Sequence, residues 1–361
     1  MKVLILANHF ITLYSFRKEL IRRLIEEKHE VYLSLPICDE NSFFANLGCK
    51  IISTDIDRRG VNPIKDFKLI KQYKKMMKDI VPDIIFSYTI KPNIYGCFVS
   101  NRLHIKQICN ITGTGGTFLK KNLVATICKI LYKSSIKKCY KVFFQNTGDR
   151  DFFLKNKLVK NNYDLLPGSG CNLEEHPYFP MPNDRIVRFI FIGRVMKLKG
   201  IEEYLASAKT IKSEFPNTEF LIAGWNEEEK YKSTINEYQT KGYIKYIGFR
   251  NDIDEWIKSS HCIILPSHGG EGVPNVLLEG SAIGRACIGS NISGTNDVIK
   301  DGITGFLFEV GNVNDLVLTI KKFLKLSYNE KTKMGVFGRK NIEKKYNRNI
   351  VVQTYLEELK K

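Results

Sequence analysis

One pattern recurs through this chain: a short, almost wholly apolar run, a polar loop, then apolar residues at helical spacing. Residues 3–7 (VLILA) are the first such run, Asn8 and His9 follow, and Phe16, Leu20, Leu24 and Ile25 then mark one helix face. The run recurs at 31–36, 51–54, 84–88, 107–110 and 142–145, with helical stretches such as 66–77 between. A strand that is apolar on both faces must be covered on both faces. The alternation therefore predicts a parallel sheet with helices on either side and a ligand at the carboxyl ends of its strands.

Residues 166–182 (LPGSGCNLEEHPYFPMP) interrupt the pattern with four prolines and two glycines, so neither helix nor strand survives there, and the interdomain connection is expected in this stretch. Strands then resume at 189–192, 219–223, 244–247, 262–265, 286–288 and 305–308, with helices at 199–214, 274–283 and 313–325 and a charged helical stretch over 331–361. The fold class expected is α/β, two doubly wound Rossmann-like domains facing a cleft. The domains are expected at 1–170 and 171–345, with a last helix over 346–361 crossing back to the first.

A chain of 361 residues that is 43% hydrophobic has ample apolar surface for two cores. No stretch reaches the ~18 consecutive apolar residues of a spanning helix, and MKVLILANHF lacks the long apolar region of a signal peptide, so a cytoplasmic protein is expected. The nine cysteines are scattered and never spaced C-x-x-C, which argues for reduced, buried thiols over a disulfide scaffold or zinc ribbon. Residues 1–180 hold 29 basic and 16 acidic side chains, whereas 181–361 hold 27 and 22. The basic surplus thus lies in the first half, where it could face a phosphate-bearing substrate, an anionic membrane or nucleic acid.

Two segments carry candidate chemistry. In 265–280 (LPSHGGEGVPNVLLEG) a strand ends, a glycine-rich loop follows, and Pro274 suits the first turn of a helix. The amides of Asn275 and Val276 then have no intrahelical acceptor and form an anion site. Glu271 and Glu279 bracket it as acceptors suited to sugar or ribose hydroxyls, or else as solvated surface carboxylates. In 191–200 (FIGRVMKLKG), Arg194 and Lys199 leave the carboxyl end of a strand and could neutralise a departing diphosphate; the alternative is two solvated cations.

Taken together, G-R-x4-K-G (193–200) followed by E-x7-E (Glu271 to Glu279) resembles family 4 of the retaining glycosyltransferases, with the GT-B fold. PGSGCN (167–172), GFRND (248–252) and the D-G-x-x-G-F turn (301–306) support the likeness, and YTIKPNIYG (88–96) with NITGTGGTF (110–118) resembles the capsular and O-antigen-type polysaccharide transferases. The resemblance implies that Arg194 and Lys199 bind the donor diphosphate, that Glu279 binds the ribose and Glu271 the donor hexose, and that the Asn275 and Val276 amides bind the distal phosphate. It puts the loop 249–252, with Arg250, near the nucleobase. Many relatives carry a His at the end of the fourth strand, where this chain reads Thr89-Ile90-Lys91-Pro92-Asn93; Lys91 becomes the candidate for the acceptor or leaving phosphate, with Asn93 beside it and His9 as a further acceptor-side residue.

Asp55-Ile-Asp57 and Asp252-Ile-Asp254 fit the D-x-D pattern of metal-dependent transferases, but one ends a strand and the other opens a helix, where Asp is a good cap. No metal ligand and no cofactor is expected, the nucleotide sugar being a co-substrate. Residues 113–116 (GTGG) lack G-x-G-x-x-G spacing and do not follow the first strand, so they make only a weak dinucleotide fingerprint and are expected instead to let a loop approach the cleft.

Residues 118–160 hold 11 basic and two acidic side chains, with Phe118, Leu119, Leu123, Val124, Ile127, Ile130 and Leu131 on one helical face and Lys120, Lys121, Lys129 and Lys133 around it. That face either packs on the core or docks on anionic lipid. The reading that follows is a retaining transferase, peripheral to the inner face of the cell membrane, which moves a sugar from a nucleotide-diphosphate donor, expected to be UDP-linked, to a lipid-linked glycan. A nucleotide-sugar epimerase or phosphorylase of similar fold is the enzymatic rival. A non-catalytic basic membrane or nucleic-acid-binding protein is the other, although no nucleic-acid motif accompanies the charge.

Overall fold

The computed structural model describes residues 1–57, 60, 62–118, 122–183 and 185–361. The chain divides into two compact units, Met1–Ser169 with Arg348–Lys361, and Gly170–Asn347. Unit 1 runs β1 (Lys2–Leu6), α1 (Phe10–Glu26), β2 (Glu30–Leu35), α2 (Ser42–Asn46), β3 (Lys50–Ser53), α3 (Pro63–Ile80), β4 (Ile84–Tyr88), α4 (Ile90–Leu103), β5 (Lys106–Ile111), α5 (Leu123–Ser135), β6 (Lys141–Phe144), α6 (Thr147–Lys155) and β7 (Tyr163–Leu165). Unit 2 runs β8 (Val187–Ile192), α7 (Ile201–Glu214), β9 (Thr218–Ala223), α8 (Tyr231–Thr240), β10 (Lys245–Gly248), α9 (Ile253–Lys258), β11 (Cys262–Leu265), α10 (Asn275–Ala282), β12 (Ala286–Ser290), α11 (Thr295–Val298), β13 (Gly305–Phe308), α12 (Val313–Leu324) and α13 (Tyr328–Lys345); α14 (Arg348–Leu359) returns to unit 1.

Both sheets are parallel, as the apolar runs require: Ile84–Tyr88 and Cys262–Leu265 are buried at every position. The strand orders are β3-β2-β1-β4-β5-β6-β7 and β10-β9-β8-β11-β12-β13. In each unit the direction of winding reverses between the first strand and its neighbour, β1 beside β4 and β8 beside β11. Loops leaving the carboxyl ends of those two strands diverge there, and the crevice they leave is where doubly wound sheets bind ligands. His9 and Thr89–Asn93 follow β1 and β4; Arg194 and the 266–271 loop follow β8 and β11.

The C-terminal helical stretch is not continuous but breaks at Tyr346 and Asn347. The Cys171 N–H donates to Tyr346 O at 2.7 Å and the Tyr346 hydroxyl donates to Asp297 O at 2.8 Å, so side chain and backbone are both committed to unit 2. Beyond the break, α14 packs on α1: Arg348 Nη1 lies 2.6 Å from Glu19 Oε2 and also reaches Ser15 O. Buried Tyr355 closes over Phe86 and Phe143, its hydroxyl accepting from Asn110 Nδ2 at 2.7 Å. The short edge strand β7, three residues with little burial, carries no apolar run and is not marked in the sequence.

Candidate donor and acceptor sites

In unit 2 the site is assembled by glycines that let two loops touch. After β8 the chain makes a tight turn at 197–199 and enters α7 through Gly200, whose φ of 75° belongs to the left-handed region. A Cβ at Gly200 would lie 1.9 Å from Pro266 O, so only glycine lets this turn close on the end of β11. The His268 N–H donates to Leu198 O at 2.9 Å and Ser267 Oγ donates to the same oxygen at 3.3 Å, lacing the turn to the loop. The consequence is a cluster: Lys199 Nζ pairs with Glu271 Oε1, and Ser267 Oγ donates to that oxygen at 2.9 Å. On the far side of the loop Gly294, at φ 88°, sits so close to Gly272 O that a Cβ there would lie 1.9 Å away.

The helix α10 begins at Asn275, one residue later than the sequence suggests, with Pro274 as its N-cap. The first helical bonds run from the Leu277 and Leu278 amides to Pro274 O, so the Asn275 and Val276 amides lie ahead of them at the helix start, as an anion site needs. Gly280 lets α10 press onto β11, a Cβ there falling 1.9 Å from Ile263 Cδ1, and Glu279 precedes it on the half-buried side. The field of Glu279 reaches His176. Burial alone would lower the His176 imidazole, but its 2.9 Å contact with Asp254 and the charges of Glu279, Asp254 and Glu175 outweigh this and raise it above its ordinary value.

Arg194 does not join the Lys199–Glu271 cluster; its Nη1 lies 3.6 Å from Glu227 Oε1. Glu227 also accepts from Trp225 Nε1 at 3.1 Å, and the Trp225 ring lies 5.4 Å from that of Phe249, both rings largely exposed. Arg250 is engaged by both Asp252 oxygens at 2.7 Å, so Asp252, expected as a helix cap, makes no side-chain cap bond and instead holds the arginine. His268 Nε2 lies 2.8 Å from Oε1 of buried Glu203. Trp225, Glu227, Ser267 and Glu203 had no motif to announce them. Glycine before Trp225 and serine before His268 were the only signals, and neither is distinctive.

In unit 1, His9 caps α1, its Nδ1 accepting from the Ile11 N–H at 3.1 Å, which puts the proton of the neutral ring on Nε2. Lys91 Nζ lies 2.7 Å from Asp66 Oδ1, and Tyr95 donates to Asp66 Oδ2 at 2.8 Å. Asn93 corrects the sequence reading. It is 1% exposed, its Oδ1 accepts from Ser87 Oγ at 2.8 Å and its Nδ2 donates to Asn110 O at 2.8 Å, so both ends of the amide are spent inside the core and it cannot reach an acceptor. Thr89, between β4 and Lys91, holds φ 71°, a strained conformation for a β-branched residue, with its hydroxyl buried and unpaired; such strain gathers at functional loops and is not legible in a sequence.

Of the D-x-D acids, Asp57 accepts from the Gly60 N–H, Asp252 holds Arg250 and Asp254 holds His176. Of the face drawn on 118–131, Phe118 packs on Phe152 and Tyr132 and Leu131 on the core, whereas Leu123, Val124, Ile127 and Ile130 point outward. Leu119, Lys120 and Lys121 lie outside the described residues.

Residues 2–146 match the family model "Glycosyl transferase 4-like" and residues 180–341 match "Glycosyl transferases group 1", so the two models between them take in both units and both sets of loops. The chain is a family 4 glycosyltransferase with the GT-B fold. The transferase is 26% identical, over 99% of its length and 98% of the other's, to the N,N'-diacetylbacillosaminyl-diphospho-undecaprenol alpha-1,3-N-acetylgalactosaminyltransferase of Campylobacter jejuni. It is 25% identical to the UDP-Gal:alpha-D-GlcNAc-diphosphoundecaprenol alpha-1,3-galactosyltransferase of Escherichia coli, over 72% of this chain and 70% of that one. In fold it matches Anabaena HepE, solved with UDP and glucose, at a TM-score of 0.82 and 13% identity over 100% and 99% of the two chains. Among the described residues no helix is long and apolar enough to cross a membrane.

Proposed function

We propose that the enzyme transfers a hexose or N-acetylhexosamine from a UDP-linked donor to a hydroxyl of a lipid-linked glycan in surface polysaccharide assembly, with retention at the anomeric carbon. The observation that carries this is the cluster of Lys199, Ser267 and Glu271 at the switch point of the second sheet, beside the start of α10. Its cation, hydroxyl and helix amides suit a diphosphate, and its carboxylate suits sugar hydroxyls. The diphosphate-linked lipid acceptors named for the Campylobacter and Escherichia relatives support the acceptor class.

In this reading Lys199 leaves Glu271 for the diphosphate when the donor binds, freeing Glu271 to accept from the hexose, while Arg194 swings from Glu227 to the same phosphates. As the sugar–oxygen bond breaks, charge builds on the leaving phosphate, and these two cations with the Asn275 and Val276 amides stabilise it without a metal. The leaving phosphate takes the acceptor's proton. Glu279 binds the ribose, and the Trp225–Phe249 pair with Arg250 faces the base. On the acceptor side His9 and Lys91 follow adjacent strands, and Lys91, held by Asp66, meets the acceptor or the departing phosphate.

The enzyme docks peripherally on the inner membrane face through α5. Leu123 is 73% and Ile130 62% exposed, with Val124 and Ile127 also exposed, and Lys129 and Lys133 stand on the same helix. An apolar stripe edged by lysines fits an anionic lipid surface, each lysine near it contributing on the order of ~1 kcal/mol.

Calorimetric titration with UDP, with GDP as control and Glu279→Ala as site test, examines the donor assignment. UDP is expected to bind without added metal and in EDTA, and about tenfold more weakly in Glu279→Ala, since a hydrogen bond to a charged group contributes about 1.5–3 kcal/mol. Binding of GDP alone would overturn the UDP donor, and binding of neither would overturn the donor site.

A further inference from the structure

Three thiols from separate parts of the chain meet in the core of unit 1. Cys97 lies on α4, Cys109 on β5, and Cys139 in the turn between α5 and β6. Their sulfurs all lie within 4.8 Å of one another, and those of Cys97 and Cys109 are 3.3 Å apart. Among the described residues this is the one group of three or more Cys, His, Asp or Glu side chains drawn together in this way. Cysteines that merely fill an apolar core have no reason to face one another or to collect polar neighbours. Here Gln107 Nε2 donates to Ser87 Oγ at 2.8 Å and lies 3.6 Å from Cys109 Sγ, with Ser87 Oγ 3.5 Å from the same sulfur. The other end of that amide, Gln107 Oε1, is buried without a partner.

We propose that Cys97, Cys109 and Cys139 form a buried three-sulfur site for a cuprous ion. A metal–sulfur bond of about 2.3 Å places three trigonal donors about 4.0 Å apart, inside the observed spread. Among the described residues no fourth Cys, His, Asp or Glu joins the three, which disfavours zinc, since a structural zinc site takes four protein ligands. Soft thiolates select the monovalent copper ion, which is content with three sulfurs. Binding involves no change of oxidation state: three Cu–S bonds form, two S–H protons leave to solvent, and the third sulfur stays a thiol, leaving one net negative charge. The second N–H of the Gln107 amide faces that charge at Cys109, as a donor beside a metal-bound sulfur does, while the Ser87 proton is spent on Asn93 Oδ1. Cys139, 5% exposed where the other two are fully buried, is the edge from which an ion enters. A bound ion would tie α4 to β5 and to the approach to β6.

The test is an anaerobic titration of the full chain with Cu(I) held by bicinchoninate, a coloured competitor. The half-buried Cys38 and Cys128 are first changed to Ser, so that surface thiols do not contribute. The background protein is expected to withdraw one equivalent, and adding Cys109→Ala or Cys139→Ala should weaken the uptake at least tenfold, with circular dichroism unchanged. X-ray absorption of the loaded background protein should give three sulfurs at about 2.3 Å and decides the matter by itself if either alanine variant fails to fold. Copper left wholly on the competitor, equal uptake by the alanine variants, or a two-coordinate spectrum would each overturn the site.

Discussion

Replacing Asp149 by Asn should make the enzyme more stable at neutral pH and leave it nearly unchanged in acid. Asp149 lies in the first turn of α6, buried, with its Oδ2 accepting from Asn146 Nδ2 at 3.0 Å. Burial raises its carboxyl from 3.8 to about 6, against hydrogen bonds from Asn146 and Thr114 that work in the other direction. A folded value above the unfolded one means that the stabilising contribution is complete below about pH 4 and is lost as the pH climbs through 6. A shift of about two units corresponds to about 3 kcal/mol. The positive end of α6 returns roughly 0.3–1 kcal/mol to the carboxylate, leaving a penalty of about 2 kcal/mol at neutral pH. Asn keeps the shape and an acceptor oxygen but cannot ionise, so the variant escapes that penalty. In a domain of this size each kcal/mol moves the melting temperature by about 2–4 °C, so the advantage of Asp149→Asn should grow by about 4–8 °C between about pH 4 and pH 7. Thermal unfolding of both proteins across that range, taken as a difference at each pH, isolates this group from the other carboxylates. A flat difference, or a variant less stable than the parent at pH 7, would mean that the carboxylate is paired or solvated and that the burial argument is wrong.

Gly200→Ala should weaken UDP binding about tenfold, equivalent to about 1.4 kcal/mol, because a Cβ 1.9 Å from Pro266 O pushes the Lys199 turn off the loop that carries Glu271; unchanged affinity by calorimetry would show that the two loops do not act together. Arg348→Ala leaves Glu19 without its 2.6 Å partner and should lower stability by about 3 kcal/mol, with faster amide exchange in α14 than in α13; equal exchange in both helices would refute that anchoring role. Changing Ile127 and Ile130 together to Asp should cut co-sedimentation with anionic vesicles at least tenfold while leaving the melting temperature within about 1 °C, since both side chains already face water; retained binding would place the membrane contact elsewhere.

How far such a molecule can be read from its letters depends on whether a feature is carried by local pattern or by distant approach. The strands were legible because a parallel strand covered on both faces must be almost wholly apolar: Cys262–Leu265 satisfies that rule at all four positions, and Ile84–Tyr88 departs from it only at Ser87, whose hydroxyl is paired with Asn93. The pairing of Lys199 with Glu271 was not legible, although both residues were, since it depends on Gly200 meeting Pro266 O across 66 residues. Asn93 failed for the converse reason: its place beside Lys91 suggested an exposed loop, but the first turn of α4 rotates the two apart, sending Lys91 to Asp66 and Asn93 to Ser87 and Asn110. The same rotation decides α5. An apolar stripe in a sequence reads equally as core or as surface, because periodicity states that residues share a face and not which way the face turns. Tyr132, packed on Phe153, fixes that direction by filling the core with the opposite side of the helix, and Leu123, Val124, Ile127 and Ile130 are thereby left facing water. The membrane hypothesis thus rests on a tertiary contact of one tyrosine, which no count of lysines could have supplied.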